Sequence, residues 1–127
     1  MREMRFKGKR IDNGEWVEGD LVHSVYQIND VCVGRYGSGV GMHQVDETAI
    51  CQYTGMVDKH GRKIWENDIV KMTFGTGEIT NGIVVYREDC RFLVYEVGKG
   101  HYGFTSNSVE VIGNVFDNPE FLGGGME

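Results

Sequence analysis

The sequence contains a single proline and no long uninterrupted apolar run. A membrane-spanning helix needs about 20 consecutive, mostly apolar residues, so none is expected here, and membrane partners are not expected either. The N-terminus carries charges but no apolar segment follows them, so a secretory signal peptide is also not expected. These absences predict a cytoplasmic protein.

Cysteine is also scarce: Cys32, Cys51 and Cys90 lie far apart and are odd in number. A disulfide framework would leave one of them over, so we predict three reduced thiols. Cys32 and Cys51 have apolar neighbours, where a free cysteine behaves as a small hydrophobic residue. Cys90 lies in a predicted charged turn and is expected to be the most exposed of the three.

Recognisable site chemistry is missing. None of the four histidines lies two to four residues from another histidine or from a cysteine, the spacing typical of zinc sites; they are His23, His43, His60 and His101. No Gly-x-Ser-x-Gly elbow and no cysteine protease context occurs. We predict no metal, no cofactor, no catalytic residues and no enzymatic activity. A hydrolase or nuclease built from scattered residues remains an alternative.

Glycine is abundant, with 19 residues in 127. Because glycine adopts positive φ without steric cost, this content predicts many tight turns between short strands. The helical period is almost absent, whereas residues 3–9 alternate between apolar and basic side chains, as a half-buried strand does. We therefore predict a mainly β protein of short antiparallel strands, with at most one or two short helices.

Several local signals predict turns and loops. Asn81-Gly82 predicts a type I′ hairpin turn, and residues 45–50 predict a helical turn or a tight loop. Residues 34–43 carry four glycines and predict a long mobile loop; no helix pattern follows, which disfavours a nucleotide-binding loop. Pro119, preceded by Asn118 as the cap, predicts one helical turn near the end.

A repeat links residues 6–22 with residues 53–70. Each copy has an aromatic-x-Gly, a polar turn ending in glycine, then an apolar residue, Glu, a small residue, Asp, an aliphatic residue and Val. We predict one β-turn-β device used twice. Asp20 and Asp68 occupy equivalent positions and could form an acid–base pair. We favour a structural role, in which each accepts backbone N–H groups at a strand entry.

Basic residues concentrate at the N-terminus, where the candidate nucleic-acid contacts are Arg5, Lys7, Lys9 and Arg10. With nearby aromatic side chains they could bind a single strand. The net charge of −6 argues against this, because non-specific affinity comes from neutralising phosphates. The alternation is also typical of a solvated strand face, so nucleic-acid binding stays the alternative hypothesis.

Three stretches, at residues 2–22, 45–70 and 110–122, resemble the YopX family of phage and prophage proteins. The motifs are Gln-Tyr-Thr-Gly, a Gly-turn, Glu-x-Asp-Ile-Val and a terminal Val-Ile-Gly-Asn…Asn-Pro-Glu. Cys51 and Asn67 stand where glycines are expected, and a proline expected near Asp46 is missing. The resemblance implies a small SH3-like barrel in the C-terminal half and an origin in a phage or prophage of a bacterial host. It implies no reaction.

We predict three regions: an N-terminal β region with the Gly-rich loop at 1–44, a small barrel-like region sharing the core at 45–122, and a flexible tail at 123–127. The functional hypothesis is a non-enzymatic accessory module that binds another protein or a copy of itself. Because Trp and Tyr dominate interface energetics, the candidate interface residues are Trp16, Tyr53, Trp65 and Tyr86. For the two tryptophans, core packing is the interpretation we favour.

Overall fold

A computed structural model describes residues 5–23, 31–34, 42–87 and 91–122. Within these ranges the chain forms ten strands, two 3-10 helices and no α-helix, so the mainly β prediction is confirmed. The strands are β1 Phe6–Arg10, β2 Trp16–His23, β3 Val31–Gly34, β4 Met42–Val57, β5 Lys63–Trp65, β6 Asp68–Thr73, β7 Ile79–Arg87, β8 Arg91–Glu96, β9 Gly100–Tyr102 and β10 Val109–Asn114. The 3-10 helices are Ser106–Ser108 and Pro119–Leu122. Most of the predicted loop at 34–43, Cys90 with its turn, and the predicted tail lie outside the described residues.

Contacts divide the chain into two units, Met1–Tyr53 and Thr54–Glu127. The division falls inside β4, and residues 44 and 45 also lie within this strand. The predicted helical turn at residues 45–50 is wrong, because these residues belong to strand β4. Asp46 does form a local turn, since its Oδ1 accepts the Thr48 N–H at 2.9 Å, but this turn is a bulge in a continuous strand.

The first unit is a ring of four antiparallel strands. β1 pairs with β2, β2 with β3, β3 with β4, and β4 with β1. Its interior is small: Val33 and Val45 are buried, and three partly buried side chains pack against them, namely Val17, Leu21 and Ile50. A Cβ on Gly8 would lie 3.0 Å from the Val45 Cβ, so glycine is needed where the ring is narrow.

The second unit contains a five-stranded antiparallel sheet in the order β10-β6-β7-β8-β9. The last strand therefore returns beside the first strand of the sheet. Seven buried side chains form its core: Ile64, Val70, Met72, Val84, Val94, Val109 and Val111. Alternation along β6 to β8 places four of them, Val70, Met72, Val84 and Val94, on one face of the sheet, and Ile64 from β5 with Val109 and Val111 from β10 complete the core.

The predicted hairpin turn at Asn81-Gly82 is wrong. Both residues lie inside β7, where Asn81 pairs with Lys71 and Gly82 with Val70. The turn lies earlier, where the Phe74 N–H donates to the Glu78 carbonyl at 2.8 Å. Close approach of β8 requires glycine at position 82, because a Cβ there would lie 2.5 Å from the Val94 Cγ1.

The two copies of the repeat share backbone geometry. Gly14 and Gly61 end equivalent turns with φ of 73° and 83°. The positions of Gly19 and Asn67 also both have positive φ, at 151° and 71°. Thus the predicted β-turn-β device is confirmed. The copies differ at this last position, since β2 continues through Gly19 whereas the chain turns at Asn67 and begins β6.

The terminal family motif forms a hydrogen-bonded turn. Asn118 Oδ1 accepts the Asn114 N–H at 3.3 Å, and Asn114 Oδ1 accepts the Phe116 N–H at 3.0 Å. A Cβ on Gly113 would lie 2.5 Å from Asn118 Oδ1, so this glycine is required by contact. The predicted helical turn is confirmed as a 3-10 helix that begins at Pro119.

Candidate functional site

Apolar side chains are exposed around one end of the second sheet. Ile79, Val97 and Phe121 are 57%, 37% and 38% exposed. They line two adjoining depressions of about 610 and 400 Å³, which share Ile79, Thr80 and Glu96. The larger depression is also lined by Phe74, Glu78, Lys99 and Tyr102, and the smaller one by Leu122. We call these two depressions together the groove.

Different elements supply the walls of the groove. Ile79 is the first residue of β7, Glu96 is the last residue of β8, and Phe121 belongs to the second 3-10 helix. The Asn81 Nδ2 donates to the Phe121 carbonyl at 2.9 Å and so holds that helix against β7. Glu96 follows the fully buried Val94 by two residues, so its side chain lies on the core-facing side of β8, at the open end.

The carboxylate of Glu96 is the polar centre of the groove. It accepts hydrogen bonds from the Thr80 hydroxyl and, at 3.4 Å, from the Tyr102 hydroxyl. The Tyr102 ring meets Phe74 edge to face, with centroids 5.2 Å apart. Within the part of the chain that the structure describes, no lysine or arginine forms an ion pair with Glu96.

A second carboxylate, Asp58, holds the turn between β4 and β5. It is 2% exposed, and its Oδ1 accepts the N–H groups of His60 and Arg62, both at 2.9 Å. Its Oδ2 accepts the Val111 N–H of β10 at 2.9 Å. Burial raises the pKa of Asp58, but these backbone hydrogen bonds outweigh it and hold the pKa below its ordinary value. The carboxylate thus acts as a structural clamp.

The repeat carboxylates lie in different units. Asp68 is 3% exposed, and its Oδ2 accepts the Trp65 N–H at 2.8 Å across the turn before β6. The predicted strand-entry role is confirmed for Asp68. Asp20 is exposed in β2 of the first unit.

Two of the four histidines contact different partners. His60 Nε2 lies 3.3 Å from Glu110, and His101 Nδ1 lies 3.1 Å from the Arg87 guanidinium. His43 lies in β4, and His23 ends β2. Among the described residues, no three His, Cys, Asp or Glu side chains form a group that could hold a metal ion. The described part of the chain also contains no helix long and apolar enough to cross a membrane.

The four candidate interface aromatics fall into two classes. Tyr53 and Trp65 are buried, at 7% and 5% exposure, and contribute to the interior. Trp16 is half-buried, whereas Tyr86 is exposed and packs edge to face on Phe92 at 4.9 Å. The surface of the chain therefore offers Trp16 and Tyr86 from this set. Sequence reasoning missed Ile79, Glu96 and Phe121, because their proximity depends on which strand ends meet.

Part of the N-terminal basic set gathers around one indole. The Nζ atoms of Lys7 and Lys9 lie 4.7 and 5.4 Å from the centroid of the Trp16 ring. Arg10 instead binds Asp12 through two hydrogen bonds of 2.9 and 2.6 Å, which lower the pKa of Asp12. The carbonyl of Arg5 accepts the Tyr53 N–H at 2.8 Å.

Comparisons with known proteins place this fold in a family. A search of curated proteins finds no match. The crystal structure of protein EF1440 from Enterococcus faecalis is similar, with a TM-score of 0.63 and 18% identity, over 97% of this chain and 100% of that chain. At this identity the likeness supports the fold alone. The family model described as YopX protein matches residues 5–123, nearly the whole length, so this chain belongs to the YopX family.

Proposed function

We propose that this chain is a non-enzymatic accessory protein of a phage or prophage, which binds another protein in the cytoplasm of a bacterial host. The observation that carries the proposal is the groove, where Ile79 is 57% exposed beside two further exposed apolar side chains. Contiguous exposed apolar surface bounded by polar groups is typical of interaction sites. Because these side chains are 37–57% exposed, burial of the exposed part of one of them by a partner would contribute about 0.5–1.5 kcal/mol.

An edge strand of the second sheet favours the same binding surface. Strand β9 pairs with β8 on one side, and it lies at an edge of the sheet order among the described residues. The opposite edge, β10, is bonded by the 58–62 turn through the Lys59 N–H and the Asp58 carboxylate. An edge that is not covered can pair with an added strand. Tyr102 belongs both to β9 and to the groove, so a segment added there would reach the apolar wall.

We further propose that the second unit is a small SH3-like barrel. The return of β10 to β6 and the 3-10 helix between β9 and β10 support this arrangement. In such a barrel the exposed end of the core provides a natural binding groove between loops. The proposed binding surface is the groove rather than the buried Tyr53 or Trp65.

A display experiment tests the protein-binding function. A random linear peptide library is selected on the immobilised chain, and enriched peptides are measured by fluorescence anisotropy against Ile79→Asp. We expect enriched peptides to lose at least about tenfold in affinity, because the substitution puts a charge into the apolar wall. The matched control is Ile11→Asp, since Ile11 is 59% exposed in the first unit and should leave affinity within about twofold. Failure to enrich any peptide, or equal loss in both variants, would contradict the proposal.

Single-stranded nucleic acid is the second candidate ligand. The specific observation is the approach of Lys7 and Lys9 to the Trp16 ring, which joins cationic and aromatic groups on one strand pair. This is the combination by which proteins bind single strands without sequence preference. The charge of Arg10 is neutralised by Asp12.

Salt dependence decides this second candidate. Binding to labelled oligo-dT and oligo-U is measured by anisotropy from about 20 to about 300 mM salt. If the basic strand binds phosphates, affinity falls steeply with salt, and replacing both Lys7 and Lys9 by Ala lowers the magnitude of the salt slope by about 1.4. The pair Arg5→Ala and Lys7→Ala should also weaken binding. An absence of binding at the lowest salt concentration would dismiss this candidate.

A further inference from the structure

The Glu96 carboxylate occupies an unusual place for a charged group. It is half-buried at the open end of an apolar core, between Thr80 and Tyr102. A carboxylate offers roughly four lone-pair positions, and two hydroxyl donors occupy only part of them. Among the described residues, Glu96 forms no ion pair with a cation. The Glu96 carboxylate therefore places a negative charge on the buried side of the groove, where a bound ligand would contact it.

The charged side chains that line the groove favour a cationic ligand. Glu78 and Glu96 both line the larger depression, against Lys99 alone. Phe74 and Tyr102 line the same depression, and the Tyr102 hydroxyl donates to the carboxylate. Guanidinium and ammonium groups are attracted both to carboxylates and to aromatic faces, and the attraction increases when water is displaced. Ile79 and Phe121 would meet the apolar neighbours of such a group.

We propose that the groove binds an extended segment of a partner protein in which an arginine or lysine side chain, flanked by apolar residues, pairs with Glu96. The inference rests on the proposed protein-binding function and names the chemistry of the partner. In this arrangement the Thr80 and Tyr102 hydroxyls orient the carboxylate, and the partner's cation supplies the missing charge. The apolar residues on either side of the cation provide affinity. Glu96 makes the groove select a positively charged side chain over a neutral or negative one.

A second copy of this chain is the competing occupant. Its net charge of −6 makes two copies repel, and this disfavours mutual insertion of surface segments into an acidic groove. The bulk charge instead favours a basic partner segment. Native mass spectrometry separates the two, because self-insertion would give a dimer that Ile79→Asp dissolves. Such a dimer would overturn the proposed partner chemistry.

A pair of matched peptides tests the proposal. The probes are fluorescein-labelled Gly-Thr-Val-Arg-Val-Thr-Gly and the same peptide with Gln in place of Arg, and anisotropy is measured at about 20 mM salt. We expect the Arg peptide to bind the wild-type chain about tenfold more tightly than the Gln peptide. In Glu96→Gln this preference for Arg over Gln should disappear. In the control Glu47→Gln, which alters an exposed carboxylate of the first unit, the preference should remain.

The outcomes separate the two proposals. If both peptides bind the wild-type chain equally and both lose affinity in Ile79→Asp, the role of Glu96 is overturned. The proposal that the groove binds protein segments would still be supported. Lack of binding by either peptide would overturn the cationic partner, and the display selection would then decide the groove independently. If Glu96→Gln does not fold, as judged by circular dichroism, salt dependence replaces it. The wild-type preference for Arg must then decline between about 20 and about 500 mM salt, and a constant preference would refute the ion pair.

Discussion

Asp58 shows how one buried side chain can organise a turn. Its two oxygens accept three backbone N–H groups, and those groups come from both the turn and β10. The Val111 N–H would otherwise be buried without a partner, which is costly. Lys59 supports the same attachment, since its N–H donates to the Val109 carbonyl at 3.2 Å. The carboxylate therefore fixes the position of β10, whose return to β6 completes the sheet order.

Asp58→Asn should destabilise the fold by about 2 kcal/mol, because an amide NH₂ would face the Val111 N–H, donor against donor. Urea unfolding followed by circular dichroism measures this change. The control Glu47→Gln should remain within about 0.5 kcal/mol, as expected for an exposed side chain. Equal stability of wild type and Asp58→Asn would contradict the clamp.

The same carboxylate predicts a pH dependence. Its folded pKa lies below the ordinary value of 3.8, so its contribution is fully present above that value and is lost as pH falls through the folded pKa. The stability difference between wild type and Asp58→Asn should stay constant from about pH 5 to 7 and shrink below about pH 4. Unfolding curves across this range provide the measurement. A difference that persists unchanged in acid would show that the charge is not responsible.

Among single residues, local sequence patterns were more informative about the core than about the surface. Core packing was the favoured interpretation for Trp65, which is buried, and a backbone role was favoured for Asp68, which bonds the Trp65 N–H. Local pattern suffices there, because turn chemistry and alternation act over a few residues. The groove residues Ile79, Glu96 and Phe121 could not be predicted together, since their neighbourhood arises only when β7, β8 and the last 3-10 helix converge.

Strand β7 contains a dipeptide that is typical of turns, yet tertiary contacts keep it extended. Asn-Gly is favoured in hairpin turns, yet here it lies within nine strand residues. The pairing of Gly82 with Val70 and the approach of β8 bury this position, and only glycine fits beneath Val94. The turn is made instead by the glycines at positions 75 and 77, of which Gly77 has a φ of 91°. Tertiary contact, rather than propensity, thus decides where the hairpin bends.

Gly82→Ala should therefore be strongly destabilising, by about 2 kcal/mol or more, because the added Cβ would also lie 2.9 Å from the Tyr95 carbonyl oxygen. Backbone cannot move aside as a flexible side chain can. Gly75→Ala is the matched control, since a Cβ at that position would meet no heavy atom within 4 Å beyond its own chain neighbours. Thermal unfolding of both variants measures the difference. If Gly82→Ala were as stable as Gly75→Ala, the close approach of β7 and β8 would be refuted.

For the molecule as a whole, the two units have cores of unequal size. Seven buried residues form the cluster of the second unit, whereas two form that of the first among the described residues. The free energy needed to open a region locally is higher where more apolar side chains are buried in contact. We expect backbone amides of β6, β7 and β8 to exchange with deuterium more slowly than those of β1 and β2. Hydrogen exchange with mass spectrometry tests this, and equal protection in both units would contradict it.

Sequence alone was enough for the class of the fold, the repeated turn and the family, because glycine positions, alternation and short motifs are local properties. The match of Gly14 with Gly61 follows from the spacing of residues in the chain, and both glycines adopt positive φ. Tertiary structure decided what depends on which strands meet: the ring of β1 to β4, the continuity of β4 and β7, and the groove. Strand pairing joins residues that are far apart in the chain. The alternation of side chains predicts which face of a strand is buried, but it does not determine which other strand pairs with it.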